Sequence, residues 1–182
     1  NNYINPGNIN EILIQNSFNN NLDIFSIDID GIDYWVLEKI NPKISKIFII
    51  EYNPYFGPKL EISAPNVEKF DRLKYHPSGM CWGASLKAII NLMKKKGYTF
   101  IGSNRLNCNS FFILNELLEK INLNIPDTDN LAEFTEVKFN VLKTKDKKNA
   151  SFLDIKNDIK NLEVFDIVKN KMVKFDEISK DI

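Results

Sequence analysis

The 182-residue chain is poor in the residues that carry most recognisable chemistry. It has one histidine, two cysteines, seven glycines and seven prolines. No two glycines stand two apart, so there is no Gly-x-Gly turn of the kind that cradles a nucleotide phosphate. Cys81 and Cys108 lie far apart in sequence, without His or Cys neighbours, and this excludes a disulfide framework and a Cys-rich zinc site. Free thiols predict a reducing, cytoplasmic setting. No apolar run approaches the roughly 20 residues that span a bilayer, and Asn1–Asn10 has neither the basic head nor the apolar stretch of a secretory signal. Formal charge is zero, with 24 basic and 24 acidic side chains, which argues against a nucleic-acid partner.

What is present suffices for a core: 43% of residues are hydrophobic and 26% charged. The spacing of Ile9, Ile12 and Leu13 predicts a short helix capped by Asn8, followed by a turn at Asn19-Asn20-Asn21. Leu22–Ile27 reads as a strand and Tyr34–Ile40 as a buried helix ending before Pro42. The nearly continuous apolar run Lys46–Ile50 predicts a strand covered on both faces. Leu60–Met80 is long and irregular, as lids and substrate-binding insertions are. Trp82, Leu86, Ile89, Ile90 and Met93 share a helical face, with Lys94–Lys96 in the last turn and Gly97 as the stop. Tyr98–Gly102 and Ser110–Leu114 suit an antiparallel hairpin. Beyond Asn115, Glu116–Ile121 is expected to be helical, Thr135–Leu142 a strand, Ile155–Leu162 a short helix and Val164–Val173 a hairpin about Asn170.

The alternation of strands and helices is that of an α/β domain. In such sheets ligands bind outside the carboxyl ends of the strands. Asp28, Asp30 and Gly31 lie at one such end, and Glu51, Tyr52 and Asn53 at the next. If the two strands are neighbours, three carboxylates and an amide converge. One reading makes Asp28 or Asp30 a general base, its proton affinity raised by like charge. A second uses the oxygens for Mg²⁺ or Ca²⁺, and a third makes Asp-x-Asp-Gly a plain turn. His76, in the long loop, is chemically suited to be a base, against the simpler reading of a loop histidine without a role. Ser85 and Cys81 precede the amphipathic helix, where a helix-start role outweighs a nucleophilic one. Trp35 and Trp82 read as core.

Several fragments together resemble the FkbM-type S-adenosylmethionine-dependent methyltransferases found among polysaccharide genes. They are Asn8-Ile9-Asn10, Asp23–Gly31 with Asp33–Val36, Ile50–Asn53 with Phe56-Gly57-Pro58, Gly83–Leu86, Lys96-Gly97-Tyr98, Asn109 ahead of Phe111-Phe112, and Lys143–Asp146 through Val164–Asp166. The resemblance implies the carboxyl-side half of a Rossmann-like sheet over residues 1–120, ending in an antiparallel hairpin, with a small α+β extension over 121–182. It implies O-methyl transfer to a sugar or polysaccharide, with Asp28 and Asp30 as catalytic candidates beside the loop histidine His76. Asp28 and Gly31 would face the S-adenosylmethionine cofactor, and Glu51, Tyr52, Asn53, Ser85 and Asn109 the acceptor. Because the glycine-rich cofactor loop is lacking, it further implies a complementing half from upstream, from a partner chain or from a homo-oligomer. The position after Gly31 is Ile32, where the family carries Asn. Two rival readings are a catalytically inactive methyltransferase-like binding module and an Asp-x-Asp phosphatase with Asp28 as nucleophile.

Overall fold

A computed structural model describes residues 3–18, 21–138 and 159–179. The fold is mixed α/β. In chain order come α1 (Ile9–Gln15), β1 (Leu22–Ile27), α2 (Asp33–Lys39), β2 (Ser45–Glu51), a 3-10 turn (Pro54–Phe56), β3 (Ile62–Ser63), α3 (Arg72–Tyr75), α4 (Leu86–Lys95), β4 (Tyr98–Ser103), β5 (Asn109–Leu114), α5 (Asn115–Leu118), α6 (Ala132–Thr135), β6 (Glu163–Asp166), β7 (Lys171–Lys174) and α7 (Phe175–Ile178).

The principal sheet has the order β1-β2-β5-β4. The β1 and β2 strands run parallel, with Phe25 opposite Phe48 and Ile27 opposite Ile50. The hairpin's second strand, β5, inserts antiparallel against β2, and β4 lies at the far edge. This register stacks Phe48, Phe112 and Phe100 across three strands. That face is sealed by α2 and α4, whose Val36, Leu37, Leu86, Ile89, Ile90 and Met93 join the strand residues in one core. Lys96 anchors α2 to this core by donating from Nζ to the carbonyls of Glu38 and Ile40, at 3.0 and 2.7 Å, satisfying acceptors left open at a helix end.

The opposite face is covered less than the apolar run of β2 predicts. Ile47 and Ile49 are half-buried, and on β1 Ile24 is 58% exposed. Among the described residues no further strand pairs with β1. Leu22 donates its N–H inward to Ile44. By the alternation of a strand, the backbone groups of Asp23, Phe25 and Ile27 therefore face the open edge.

A second sheet, β3-β6-β7, gathers the other core around Phe56, Met80, Trp82, Leu162, Val164 and Phe175. Its β3 comes from the long loop and pairs with β6 through Ile62 opposite Asp166. Residues of the carboxyl-terminal extension are thereby built onto the long loop Leu60–Met80. The β6–β7 hairpin turns at Asn170, which adopts φ +53°.

Several expectations change. Trp82 does not belong to the amphipathic helix. The helix begins at Leu86 because Ser85 caps it, Oγ accepting from Ala88 N–H at 3.4 Å, and Trp82 turns instead into the second core. Trp35 is half-buried, its Nε1 donating to the Ala64 carbonyl at 2.7 Å. Asn8 precedes α1 without capping it, because its Oδ1 accepts from Asn5 N–H instead. Thr135 ends α6 rather than opening a strand, its hydroxyl bonding back to Leu131. The helix read over Glu116–Ile121 begins one residue earlier and gives way to a turn after Leu118. Asn19, Asn20, residues 139–142 of the expected strand, and Ile155–Asp158 of the expected helix lie outside the described residues. Among the described residues no helix is long and apolar enough to cross a membrane.

Candidate functional site

Parallel pairing of β1 with β2 brings Asp28 and Glu51 to neighbouring strand ends, where the sequence placed them. Between them stands a residue the sequence reading passed over. Asp33, at the first turn of α2, is fully buried. Its Oδ1 accepts from Ile29 N–H at 2.9 Å and its Oδ2 from Gly31 N–H at 3.0 Å. This bidentate grip shapes the Asp28–Gly31 turn and leaves Asp30 at φ +56°, a left-handed conformation that Asp tolerates better than most residues. An Asp two positions after the Gly, at a helix start, was the available signal.

The electrostatics follow from crowding. Burial pushes the Glu51 carboxyl up to about 9, and repulsion from Asp33, Asp28 and Asp30 adds to it against the attraction of Arg72. Glu51 therefore holds its proton at neutral pH, and its Oε2 is buried without a hydrogen-bond partner among the described residues. Asp28 is raised above the ordinary carboxylate range by partial burial and by Asp30, with Arg72 opposing. Asp30 is 61% exposed at its side chain and ion-pairs with Arg72, Oδ1 to Nη1 at 2.9 Å. Arg72, unnoticed in the sequence, sits in the long loop with its guanidinium 5.3 Å above the Trp82 ring.

Other expected site residues are occupied with architecture. Asn53 is buried, donating from Nδ2 to the carbonyls of Met80 and Trp82 and accepting on Oδ1 from Tyr55 N–H. Ser85 is buried, and besides its cap it accepts from Ile62 N–H at 3.1 Å. Tyr52 is buried and its hydroxyl donates to the Phe134 carbonyl. Asn109 stands opposite Glu51 in the β2–β5 register, its Nδ2 directed to Cys108 Sγ at 3.6 Å. His76 bonds within its own loop, Nδ1 to Ser78 Oγ at 2.7 Å, and no hydrogen bond links it to Asp28, Asp30 or Glu51. Cys81 is buried and its thiol is pushed up to about 12 by that burial, which removes it as a nucleophile at neutral pH.

Gly31 permits a close approach, but the group that approaches is protein. A Cβ there would meet Phe70 Cδ1 at 2.5 Å. The adjacent cleft, lined by Tyr3, Ile4, Ile29, Gly31, Ile32 and Phe70, holds about 230 Å³. That is below the roughly 300–1,000 Å³ of ordinary small-molecule pockets. With no Gly-x-Gly in the sequence, these residues do not make a cradle for a whole S-adenosylmethionine. Among the described residues no three His, Cys, Asp or Glu side chains are grouped to hold a metal ion.

No family model, no curated protein and no solved structure matches the chain.

Proposed function

We propose that the chain carries the acceptor-side half of an FkbM-type O-methyltransferase acting on a sugar or polysaccharide hydroxyl. One observation carries the reading: Asp28 and Glu51 meet at the carboxyl ends of adjacent parallel strands, where α/β sheets bind ligands. Asp28 is exposed and has raised proton affinity, so it is the base that takes the hydroxyl proton. Neutral Glu51 offers a hydrogen-bond donor to the acceptor oxygen. Asp30 pairs with Arg72 of the long loop, while Asp33 holds the turn in place. The methyl donor is held by a complementing half, for which the open edge of β1 and the incompletely covered sheet face are the docking side. The polar atoms of Asn53 and Ser85, bound internally, favour a second reading in which the chain is a catalytically inert binding module.

Calorimetry separates these readings. Titration of S-adenosylmethionine into the chain alone is expected to give no saturable heat. A longer form or partner that supplies the donor half is expected to restore binding and methyl transfer, and Asp28→Asn to abolish the transfer. Tight binding by the chain alone overturns the division into halves. Binding without transfer in the completed protein favours the inert module. Phosphate release from a generic phosphomonoester, lost in Asp28→Asn, moves the assignment to an Asp-x-Asp phosphatase.

A further inference from the structure

The long loop carries its own closure device. Residues Phe70–Ser78 run between two left-handed positions, Lys69 at φ +53° and Gly79 at φ +62°. A positive φ at a lysine is uncommon, and such residues are suited to absorb a backbone change when a segment swings. Inside the segment, Asp71 caps α3 by accepting from Leu73 and Lys74 N–H, so the piece holds its own local shape. Its outer side is solvent-facing, with Leu73 71% exposed and Asn66–Lys69 exposed ahead of it.

Phe70 and Tyr75 pack the segment's inner side onto the cores, and two of its contacts close on the Asp28–Gly31 turn. Phe70 sits in the space left by the missing Gly31 side chain and forms one wall of the adjoining cleft. Arg72 reaches Asp30 on one side and rests on Trp82 on the other. Beyond the turn, the Tyr75 hydroxyl donates to the Glu163 carbonyl at 3.1 Å and the Tyr3 hydroxyl donates to the Phe70 carbonyl at 3.5 Å. His76 rides on the same segment.

We propose that Phe70–Ser78 is a lid over the carboxylate turn, latched by the Arg72–Asp30 ion pair and by Phe70 on Gly31. Opening lifts Phe70 from the cleft and frees Asp30 and Gly31 to meet a ligand. The purpose assigned to this motion rests on the functional reading above; the motion itself does not, and it is measured without substrate.

Cys81 is a built-in reporter. It lies two residues beyond the Gly79 hinge, fully buried in the second core, its Sγ directed at 3.9 Å to the same Glu163 carbonyl that Tyr75 of the segment bonds. Thiol labelling with an aromatic disulfide reagent in a Cys108→Ser background follows the opening at this one site. Arg72→Gln loses the ion pair and the cation–π contact together and is expected to raise the Cys81 labelling rate roughly tenfold, whereas Asp30→Asn loses the ion pair alone and is expected to raise it about threefold. Hydrogen exchange across 69–79 rises with it, while amides of α4 keep their wild-type rates. Unchanged Cys81 labelling in both variants overturns the lid. So does labelling that rises only in step with α4 exchange, because the exposure then belongs to unfolding of the whole domain. Lid opening in a completed protein that transfers no methyl group leaves this inference standing and removes the other.

Discussion

Replacing Glu51 by Gln is expected to stabilise the protein, increasingly so as pH rises. In the unfolded chain Glu51 titrates near its ordinary 4.5, whereas in the fold its carboxyl titrates at about 9. Between those values the folded state binds the proton that the unfolded state has released. Stability therefore falls as pH climbs through this window. Each pH unit inside it costs about 1.36 kcal/mol. Over the roughly 2.5 units from 4.5 to 7 the penalty reaches about 3 kcal/mol. That is a large part of the 5–15 kcal/mol typical of a domain. Gln keeps the shape and the hydrogen-bond donor but cannot ionise, so it removes the penalty without opening a cavity. Urea unfolding of wild type and E51Q at pH 4.5, 6, 7 and 8 measures the difference directly. It should be near zero at the lowest pH and about 3 kcal/mol in favour of Gln at pH 7. The raised carboxyls of Asp28 and Asp33 slope the same way in both proteins and cancel to first order. A gap independent of pH, or an E51Q less stable than wild type at pH 7, would refute the argument that burial and three neighbouring carboxylates hold this proton.

Asp33→Ala leaves the N–H groups of Ile29 and Gly31 without acceptors, and a net loss of about 2 kcal/mol is expected, read as a fall in Tm of roughly 5 °C. Asp33→Asn, which keeps one acceptor oxygen, should lose less, and a null effect in both would show that the turn does not need this grip. Ser85→Ala removes the cap of α4 and the acceptor for Ile62 N–H at once, and about 1–2 kcal/mol of stability should go with it in chemical denaturation. A loss below about 0.5 kcal/mol would return Ser85 to the acceptor pocket as its reason for being there.

Strands β1 and β2, the amphipathic helix and the β4–β5 hairpin are legible in the chain because each rests on local patterning and local breakers. A short apolar-rich run between Asn21 and Asp28 marks β1, a 3.6-residue rhythm marks α4, and Gly97 and Asn170 mark their turns. The acidic site was legible to the same degree: Asp-x-Asp-Gly and Glu51 each follow an apolar strand, so the carboxyl-end rule placed them at one edge. Nothing local says that β5 inserts beside β2, that β3 pairs with β6, or that Phe70 fills the space at Gly31. Those are contacts between residues distant in sequence, chosen by which surfaces bury each other. The same long-range packing turned Asn53 and Ser85 into braces, brought in Arg72 and Asp33, and raised Glu51 out of the acid range. Sequence determined which residues carry charge at the sheet's edge. Only the tertiary structure decided which of those charges survive, because desolvation and repulsion depend on neighbours that the chain brings from afar.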